Sequence, residues 1–476
     1  MDYKFYISID WLSNIEIKIK LYMKRNSSIA ILGLGVTGTS VAKYLKKNNQ
    51  EFTVYDTRKN LLITDEIKKY VNQENIILGN FEINIVKNHD VFIVSPGIKL
   101  DKIFLSEIKK NKKIIKTDID LFDEQNKKNI ICITGSNGKT TVTLLLEYIL
   151  KKLGKKAKAG GNVGYPALAL LEKDYEYNIL ELSSYQLEMT NKISCKAALV
   201  TNITPDHLDR HKTFDNYIKI KNKIFYNSEY AILNYSDKNI IPQTNQKKIF
   251  FGNKSQIKDN NFSIVEFNKK NCIYYGNRKL ICQDDIKLLG NHNLLNICSA
   301  LAIIHALNLD INQAANIAKS FPAVEHRIEK FYRKDNINWI NDSKATNVDS
   351  TISAVLSIKP EIILLLGGRA KEQNYSELNK ILSEKVKNLV IFGESKKELF
   401  EKLSSVKNVT ITDSLEDAIK ISKEIAENLV RESNTIELNI ILSPACSSFD
   451  KFTSYEERGK YFKKSVLNEY RQCYEK

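Results

Sequence analysis

The sequence has no apolar run close to the roughly 20 residues that a membrane-spanning helix needs. Its N-terminus carries Asp2, Lys4 and Asp10 among the apolar residues, which is not the pattern of a signal peptide. None of its 7 cysteines stands in a Cys-x-x-Cys pair, so neither a disulfide framework nor a zinc site is indicated. We therefore expect a cytoplasmic protein without a membrane span.

The composition is that of a folded, basic protein. Hydrophobic residues make up 43% of the chain and charged residues 27%, which excludes a largely disordered chain. The 476 residues are too many for one core, and about three domains are expected. The net charge of +16 favours anionic partners. The lysines are spread along the whole chain, so basic surfaces are favoured over a nucleic-acid groove, and we expect no nucleic-acid partner.

The most informative stretch is Asn-Ile-Ile-Cys-Ile-Thr-Gly-Ser-Asn-Gly-Lys-Thr-Thr, residues 129–141. An apolar strand runs into a glycine-rich turn, and the apolar periodicity of residues 142–153 predicts a helix. Amides of such a loop and the helix dipole bind phosphate, with a lysine on the outer phosphates and a threonine on Mg2+. Ile133 stands where the strict phosphate-loop pattern has glycine, but the preceding strand and the following helix both fit that pattern. The predicted phosphate loop comprises Gly135, Ser136, Asn137, Gly138, Lys139, Thr140 and Thr141.

A second glycine-rich turn lies near the N-terminus. The predicted strand 28–32 leads into Gly33-Leu-Gly-Val-Thr-Gly38, and Asp56 ends the next strand. This is the dinucleotide-binding fingerprint, which taken alone is a weak signal and leaves an NAD-dependent oxidoreductase open. We predict a Rossmann-like domain over residues 25–119 behind an extension of residues 1–24. Met23 immediately precedes the strand, which raises the hypothesis that translation starts there.

Two polar clusters follow the phosphate loop in a predicted second domain over residues 120–322. The apolar strand 177–181 ends in Glu181, where a further Mg2+ ligand is expected. Residues 202–211 bring two histidines and two aspartates together, side chains that bind metals or phosphates. The lysines of residues 217–224 alternate with other residues, and the pattern alone favours a solvated helix face. Residues 290–296 open a helix with three asparagines, which suggests contacts with adenine or ribose.

Strands followed by polar turns recur after residue 322. They end in Asn341-Asp-Ser-Lys-Ala-Thr-Asn347, in Gly367-Gly368 with Lys371 close behind, and in the turn of residues 443–450. Alternating strands and helices predict a parallel α/β domain over residues 323–476.

Taken together, these motifs resemble the Mur ligase family of peptidoglycan synthesis, from about Ile29 to Phe462. The resemblance implies a Rossmann-like UDP-binding domain, a central P-loop-type ATPase domain and a Rossmann-like C-terminal domain. It implies ATP-dependent amide-bond formation through an acyl phosphate. The motifs 33–38, 342–347 and 443–448 favour the addition of D-glutamate to UDP-N-acetylmuramoyl-L-alanine. A family member that adds another amino acid is the nearest alternative.

The resemblance also implies roles for single residues. Lys139, Glu181, His207 and Lys221 would be catalytic. Two Mg2+ ions would be held by Thr140, Glu181, His207 and Lys221, with Lys221 carbamylated by CO2. The nucleotide would also contact Asn293, Asn296, Arg327 and Asp342. The UDP substrate would contact Val36, Thr37, Asp56, Thr57, Arg58 and Asn162. D-Glutamate would contact Thr346, Lys371, Ser448, Phe449 and Tyr455.

Two positions depart from the family pattern. Arg369 stands where relatives often carry an acid, and Phe449 replaces a smaller apolar residue. Both bear on amino-acid recognition rather than on the reaction class. A nucleic-acid-binding ATPase and a non-catalytic homologue are further alternatives, although the lysine, threonine, glutamate and histidine positions are all filled. We expect a monomer.

Overall fold

The structure is a computed structural model that describes residues 28–126, 129–243, 245–253, 261–288, 290–359, 361–370, 373–403, 405–432 and 437–471. The extension of residues 1–24, the hypothesis about Met23 and the predicted site residue Lys371 lie outside them. The chain divides into two compact units. The first comprises the described residues up to Cys132 together with Lys156–Cys195, and the second comprises Ile133–Lys155 and the residues from Lys196 onward.

The first unit contains a five-stranded parallel sheet in the order β3-β2-β1-β4-β5. Its strands are β1 Ile29–Leu32, β2 Phe52–Asp56, β3 Ile76–Leu78, β4 Val91–Val94 and β5 Ile114–Lys116. Its helices are α1 Val36–Lys47, α2 Asp65–Lys68, α3 Ile85–Asn88, α4 Lys102–Lys110 and α5 Asp118–Gln125, with a 3-10 turn at Gln73–Asn75. Strand order and crossovers confirm the predicted Rossmann-like domain.

The central strands begin with β6 Asn129–Thr134, and the division between the units falls within β6 and within β9. In the first unit β7 pairs in parallel with β8. In the second unit β10, β11 and β12 run parallel, whereas β12, β13 and β14 are antiparallel. The strands are β7 Ala157–Gly161, β8 Tyr177–Glu181, β9 Ser194–Val200, β10 Asn227–Asn234, β11 Lys247–Asn253, β12 Phe262–Phe267, β13 Lys270–Tyr275 and β14 Arg278–Cys282.

Helices and short 3-10 turns connect these strands. The helices are α6 Lys139–Lys152, α7 Ser184–Met189, α8 Leu208–His211, α9 Phe214–Asn222, α10 Asn291–Ala306 and α11 Ile311–Ala318. The 3-10 turns are Ala167–Glu172, Lys223–Phe225 and Gln283–Asp285. Helix α10 has buried residues along its whole length, such as Ile297, Leu301 and Ile304, because the second unit packs around it.

One expectation about cysteine is wrong. Cys272 in β13 and Cys282 in β14 face each other in the antiparallel register and form a disulfide. The two cysteines are ten residues apart, so they do not form a Cys-x-x-Cys motif that the sequence could reveal. They pair because the antiparallel register of the two strands places them opposite each other.

The C-terminal sheet has six strands in the order β15-β16-β20-β17-β18-β19. They are β15 Glu329–Lys334, β16 Ile337–Asn341, β17 Ile362–Gly367, β18 Val386–Phe392, β19 Val409–Ile411 and β20 Leu438–Leu442. All neighbours are parallel except β15 and β16, so the expected fully parallel sheet carries an antiparallel edge strand. The helices are α12 Val348–Ser357, α13 Ser376–Lys385, α14 Lys396–Lys402, α15 Leu415–Glu432 and α16 Tyr455–Arg471.

Both faces of this sheet are buried. Leu364 and Ile391 belong to one apolar cluster, and the adjacent Leu365 and Val390 belong to the other, as the alternation of a strand requires. The three sheets confirm the predicted three-domain α/β fold, while the domain limits at residues 119 and 322 stay predictions. Within the described ranges, no helix combines the length and the apolar character that crossing a membrane demands.

Candidate active site

The glycine-rich turn joins β6 to α6 as predicted. Gly138 has a φ of 83° and is followed by Lys139, the first residue of the helix. Lys139 Nζ donates to the carbonyl oxygens of Gly135, at 2.7 Å, and of Ser136, at 2.8 Å. The loop therefore wraps around the lysine ammonium group beside the positive end of the helix dipole, which is an arrangement suited to polyphosphate.

Residues at the carboxyl end of β9 hold the loop in place. Asn137 N donates to Asn202 Oδ1 at 2.9 Å, and Thr201 Oγ1 donates to the Asn137 carbonyl at 2.6 Å. A Cβ atom at Gly135 would overlap Thr201 Oγ1. Glycine is therefore required there, because the loop backbone lies directly against the threonine side chain.

Lys221 in α9 is buried, whereas Lys219 two residues earlier is exposed. Lys221 Nζ donates to the Gly135 carbonyl at 2.8 Å and lies 4.8 Å from the centroid of the Tyr217 ring. The Tyr217 hydroxyl is 3.1 Å from Ser136 Oγ. A solvated helix face, which the pattern alone favoured, is thus wrong for Lys221, since its ammonium group reaches the phosphate loop.

Helix α10 reaches the same loop with its first turns. Asn296 Nδ2 donates to Asn293 Oδ1 at 2.9 Å, and both side chains are buried. A Cβ atom at Gly138 would lie 2.6 Å from Asn296 Oδ1. The asparagine pair predicted to face the nucleotide therefore lies against the phosphate loop.

Asp342 follows β16 and is buried. Its carboxyl accepts from Ser443 Oγ at 2.8 Å and from Ile328 N at 3.2 Å. Burial raises the pKa of Asp342 to about 7, although these hydrogen bonds and the charge of the half-buried Arg327 act in the opposite direction. The predicted nucleotide contacts Arg327 and Asp342 are therefore near neighbours.

His207 and Asp206 form a polar pair just before α8. His207 has a φ of 55°, its backbone N donates to Asp206 Oδ1 at 2.9 Å, and its Nε2 is 3.6 Å from Asp206 Oδ2. Asp206 Oδ2 also accepts from Asn347 Nδ2 at 3.3 Å. This pair offers an imidazole and a carboxylate within one short segment.

Glu181 and Asn162 belong to the first unit. Asn162 Nδ2 donates to Glu181 Oε1 at 2.9 Å. Glu181 Oε2 is buried, and no group among the described residues donates a hydrogen bond to it. A buried carboxylate oxygen without a partner needs a cation or a donor, so Glu181 fits a Mg2+ ligand.

The first unit also contains the predicted uridine site. Asp56 is buried at the end of β2, and it accepts from Leu34 N at 2.7 Å and from Arg58 Nε at 2.8 Å. Burial by itself would raise the pKa of Asp56, but the hydrogen bonds from Arg58 and Leu34 outweigh it and lower the pKa. Val36, Thr37 and Thr57 are exposed or half-buried beside this pair in the sequence.

The loops after β16, β20 and β17 lie side by side because these strands are neighbours. The buried Arg458 connects two of them: Nη2 donates to the Ser343 carbonyl at 2.9 Å and to the Cys446 carbonyl at 3.2 Å. Burial lowers the pKa of Arg458 to about 10. Arg369 N and Ser447 N donate to each other's carbonyls at 3.1 and 3.0 Å, which joins the third loop.

The residues predicted for D-glutamate sit on or beside these loops. Ser448 is buried, Thr346 is half-buried and Phe449 is 63% exposed. Tyr455 begins α16, and Lys344 Nζ lies 3.6 Å from the centroid of its ring. Arg369, the departure from the family pattern, forms an ion pair with Glu394 at 3.0 Å.

Three family models match consecutive parts of the chain. The Mur ligase MurD-like N-terminal domain matches residues 27–116, the Mur ligase middle domain matches residues 133–304, and the Mur ligase glutamate ligase domain matches residues 326–430. The chain belongs to the Mur ligase family. It is accordingly an ATP-dependent ligase of peptidoglycan synthesis that uses Mg2+, so the oxidoreductase and the nucleic-acid ATPase are wrong as alternatives.

Curated relatives of this Mur ligase are similar over almost their whole length. The UDP-N-acetylmuramoylalanine–D-glutamate ligase of Caldanaerobacter subterraneus is 32% identical over 93% of this chain and 99% of the relative. The ligases of that name from Legionella pneumophila and Coxiella burnetii are 34% and 33% identical with the same coverage. The fold is similar to those of the UDP-N-acetylmuramate-alanine ligase from Thermotoga maritima and the pseudomurein peptide ligase type C from Methanothermus fervidus. The Thermotoga maritima structure has a TM-score of 0.58 and is 17% identical, over 94% of this chain and 100% of that chain. The Methanothermus fervidus structure has a TM-score of 0.58 and is 19% identical, over 93% of this chain and 100% of that chain.

The structure of this Mur ligase brings together much of the predicted nucleotide site. The phosphate loop, Lys221 and the asparagine pair meet around Gly135 and Gly138 in the second unit. Sequence analysis assigned no role to Tyr217 or Arg458. Tyr217 lies four residues before Lys221 on the same helix face, which was an available signal. Arg458 had none, because its partners come from distant loops.

Proposed function

We propose that this ligase joins D-glutamate to UDP-N-acetylmuramoyl-L-alanine at the expense of ATP. The terminal L-alanyl carboxylate attacks the γ-phosphorus of ATP, the bond from that phosphorus to the β–γ bridging oxygen breaks, and an acyl phosphate and ADP are formed. The amine of D-glutamate then attacks the acyl carbon, an amide bond forms, and inorganic phosphate leaves. The observation that carries the proposal is a phosphate loop that holds Lys139 and is contacted by the buried Lys221, in a chain whose near full-length relatives are named for this activity.

The first step brings two anions together. Two unit charges about 4 Å apart repel by roughly 1 kcal/mol in water and by roughly 4 kcal/mol at an effective dielectric of about 20. The ammonium group of Lys139 lies at the Gly135 carbonyl, and Arg327 adds positive charge near Asp342. In the proposed complex Lys139 turns from the loop carbonyls to the outer phosphates and offsets this repulsion.

The donor set suits two Mg2+ ions. Thr140 would hold the first ion, and His207 with a carbamylated Lys221 would hold the second. Glu181, with its buried oxygen, would also be a Mg2+ ligand. These ions would neutralise phosphate charge when bound. CO2 on the Lys221 amine would convert a buried cation into a carboxylate-like ligand, which explains why a lysine is buried among polar loop atoms.

The amino acid would bind at the joined loops after β16, β20 and β17, with Thr346, Lys371, Ser448, Phe449 and Tyr455 as contacts. Ser448 is buried in one of these loops, and the buried Arg458 connects two of them. In the first unit Val36, Thr37, Asp56, Thr57 and Arg58 would hold the uridine end, and Asn162 would touch the sugar–peptide part.

Phosphate release is the decisive experiment. The chain is incubated with ATP, Mg2+ and UDP-N-acetylmuramoyl-L-alanine, and D-glutamate is compared with L-glutamate, L-alanine, L-lysine and meso-diaminopimelate. Release with D-glutamate alone is expected. Release with another amino acid would support the ligase reaction but identify that amino acid, not D-glutamate, as the acceptor. No release with any of the amino acids would contradict the substrate proposal.

The monomeric state and the cytoplasmic location stay predictions, which size-exclusion chromatography and cell fractionation would test.

A further inference from the structure

One face of α12 is polar although the helix packs into the C-terminal core. Val348, Ile352 and Val355 face that core. Ser350, Ser353 and Ser357 are spaced by three and four residues, so they share another face, and the capping residue Asn347 extends it. We call these four residues the polar face of α12.

The N-terminal half of the polar face contacts the phosphate loop. Ser350 Oγ donates to Asn137 Oδ1 at 2.8 Å, and Asn347 Nδ2 lies 3.4 Å from the same oxygen. Asn137 is also held from behind, because Thr201 and Asn202 bond to its backbone. The loop residue is thus fixed on one side by β9 and on the other by α12.

The C-terminal half contacts the first turn of α10. His292 Nδ1 lies 3.2 Å from Ser353 Oγ and 3.3 Å from Ser357 Oγ. Burial and the nearby Arg327 lower the pKa of His292 to about 4, so the imidazole is neutral at physiological pH and can exchange hydrogen bonds with hydroxyls. A Cβ atom at Gly290 would overlap Ser357 Oγ, which shows how closely the two helices approach.

Both contacts end on elements that surround the nucleotide site. Asn137 lies within the phosphate loop, and His292 immediately precedes the Asn293–Asn296 pair that lies against Gly138. Helix α12 itself begins directly after the loop that carries Thr346. The loop that carries Thr346 therefore continues directly into α12, and α12 is hydrogen-bonded to both nucleotide elements.

We propose that the polar face of α12 positions the phosphate loop and the first turn of α10, and so couples ATP binding to amino-acid binding. Ser350 and Ser353 are positioning residues, since Ser350 acts through Asn137 of the phosphate loop and Ser353 acts through His292, next to Asn293. The coupling to the amino acid rests on the proposed function, whereas the effect on nucleotide affinity does not. A neutral hydrogen bond changes an equilibrium by about threefold to tenfold.

The test measures the affinity of the full chain for a non-hydrolysable ATP analogue with Mg2+ by calorimetry. Ser350→Ala should weaken binding about threefold to tenfold, and the conservative Ser350→Thr should retain most of the affinity. Leu356→Ala is the matched control, because Leu356 lies on the same helix with 57% exposure. Asn137→Ala should weaken binding of the analogue by a smaller factor in the Ser350→Ala background than in the unsubstituted chain. Unchanged affinity in Ser350→Ala, or strictly additive effects, would overturn the positioning role.

The second arm adds UDP-N-acetylmuramoyl-L-alanine and the amino acid that supports phosphate release. In the unsubstituted chain, the amino acid should tighten binding of the analogue. In Ser350→Ala with Ser353→Ala this tightening should shrink by about tenfold. An equal tightening in both proteins would refute the coupling. If the release assay identifies a different amino acid, that amino acid takes the place of D-glutamate in this experiment. The measurement of affinity for the ATP analogue alone is not affected by that outcome.

Discussion

At Gly135, two lysine ammonium groups donate to one carbonyl oxygen. Lys139 reaches it from α6 at 2.7 Å and Lys221 from α9 at 2.8 Å. Two like charges at one acceptor are unfavourable unless an anion or a chemical change offsets them. Polyphosphate would supply the anion, and carbamylation of Lys221 would supply the change.

Lys139→Ala tests the loop lysine. We expect phosphate release to be abolished, because the charge on the outer phosphates is lost, while the affinity for the UDP substrate stays nearly unchanged. Phosphate release and calorimetric binding are the measurements. Lys152→Ala, on an exposed position of the same helix, is the control. Unchanged turnover in Lys139→Ala would contradict the loop assignment.

Lys221→Ala tests the carbamate. Activity should be lost and should return in part when short carboxylates such as formate or acetate are added, since these replace the missing ligand. Lys219→Ala should behave as the unsubstituted chain, because Lys219 is exposed on the same helix. Full activity of Lys221→Ala without additives would show that Lys221 is not the carbamylated residue.

At the scale of elements, the phosphate loop depends on how closely β9 approaches it. Gly135 has a φ of 146° and faces Thr201 Oγ1, which itself donates to the Asn137 carbonyl. A side chain there would add backbone strain and displace Thr201. The loop therefore owes its shape to a neighbouring strand as much as to its own glycines.

Gly135→Ala should raise the KM for ATP about tenfold or more, because strain of about 1–3 kcal/mol would move the loop amides. Gly154→Ala is a matched control with a φ of 76° and no atom within 4 Å of the added Cβ, so it carries strain without a clash near the nucleotide. Steady-state kinetics and thermal unfolding of both variants separate a local from a global effect. Equal KM values for ATP in the two variants would contradict the inference that the close contact between Gly135 and Thr201 fixes the shape of the phosphate loop.

At the scale of the whole molecule, a buried carboxyl makes stability depend on pH. Asp118 at the start of α5 is 2% exposed, and its Oδ1 has no partner among the described residues. Burial raises the pKa of Asp118 to about 7, above the ordinary value of about 3.9. The folded chain thus binds the proton more tightly than the unfolded chain. The stabilisation that protonated Asp118 gives to the folded state is complete below about pH 4 and is lost as the pH rises through about 7.

Asp118→Asn should therefore raise the unfolding temperature at pH 8 by more than at pH 4.5, because the amide carries no charge to bury. Calorimetry at the two pH values measures the difference. Asp65→Asn, whose carboxylate is 93% exposed, should show little change at either pH. A difference between Asp118→Asn and the unsubstituted chain that is the same at both pH values would contradict the raised pKa.

Several elements were predictable from local pattern alone. Strand β8 has the predicted limits of residues 177–181, and β6, the glycine loop and α6 follow the predicted order. Lys221 was not predictable from pattern, because the register of three alternating lysines decides which one is buried. The disulfide of Cys272 and Cys282 and the bridges of Arg458 join segments whose proximity only strand order creates.

The amino-acid sequence by itself determined the three α/β domains, the phosphate loop and the resemblance to the Mur ligases, because apolar periodicity and glycine-rich turns act over a few residues. The tertiary structure alone decided which side chains meet. Lys139 and Lys221 share the Gly135 carbonyl, and Ser350 contacts Asn137 across 213 residues of chain. Such contacts follow from helix phase and strand order, which are settled only when the cores pack.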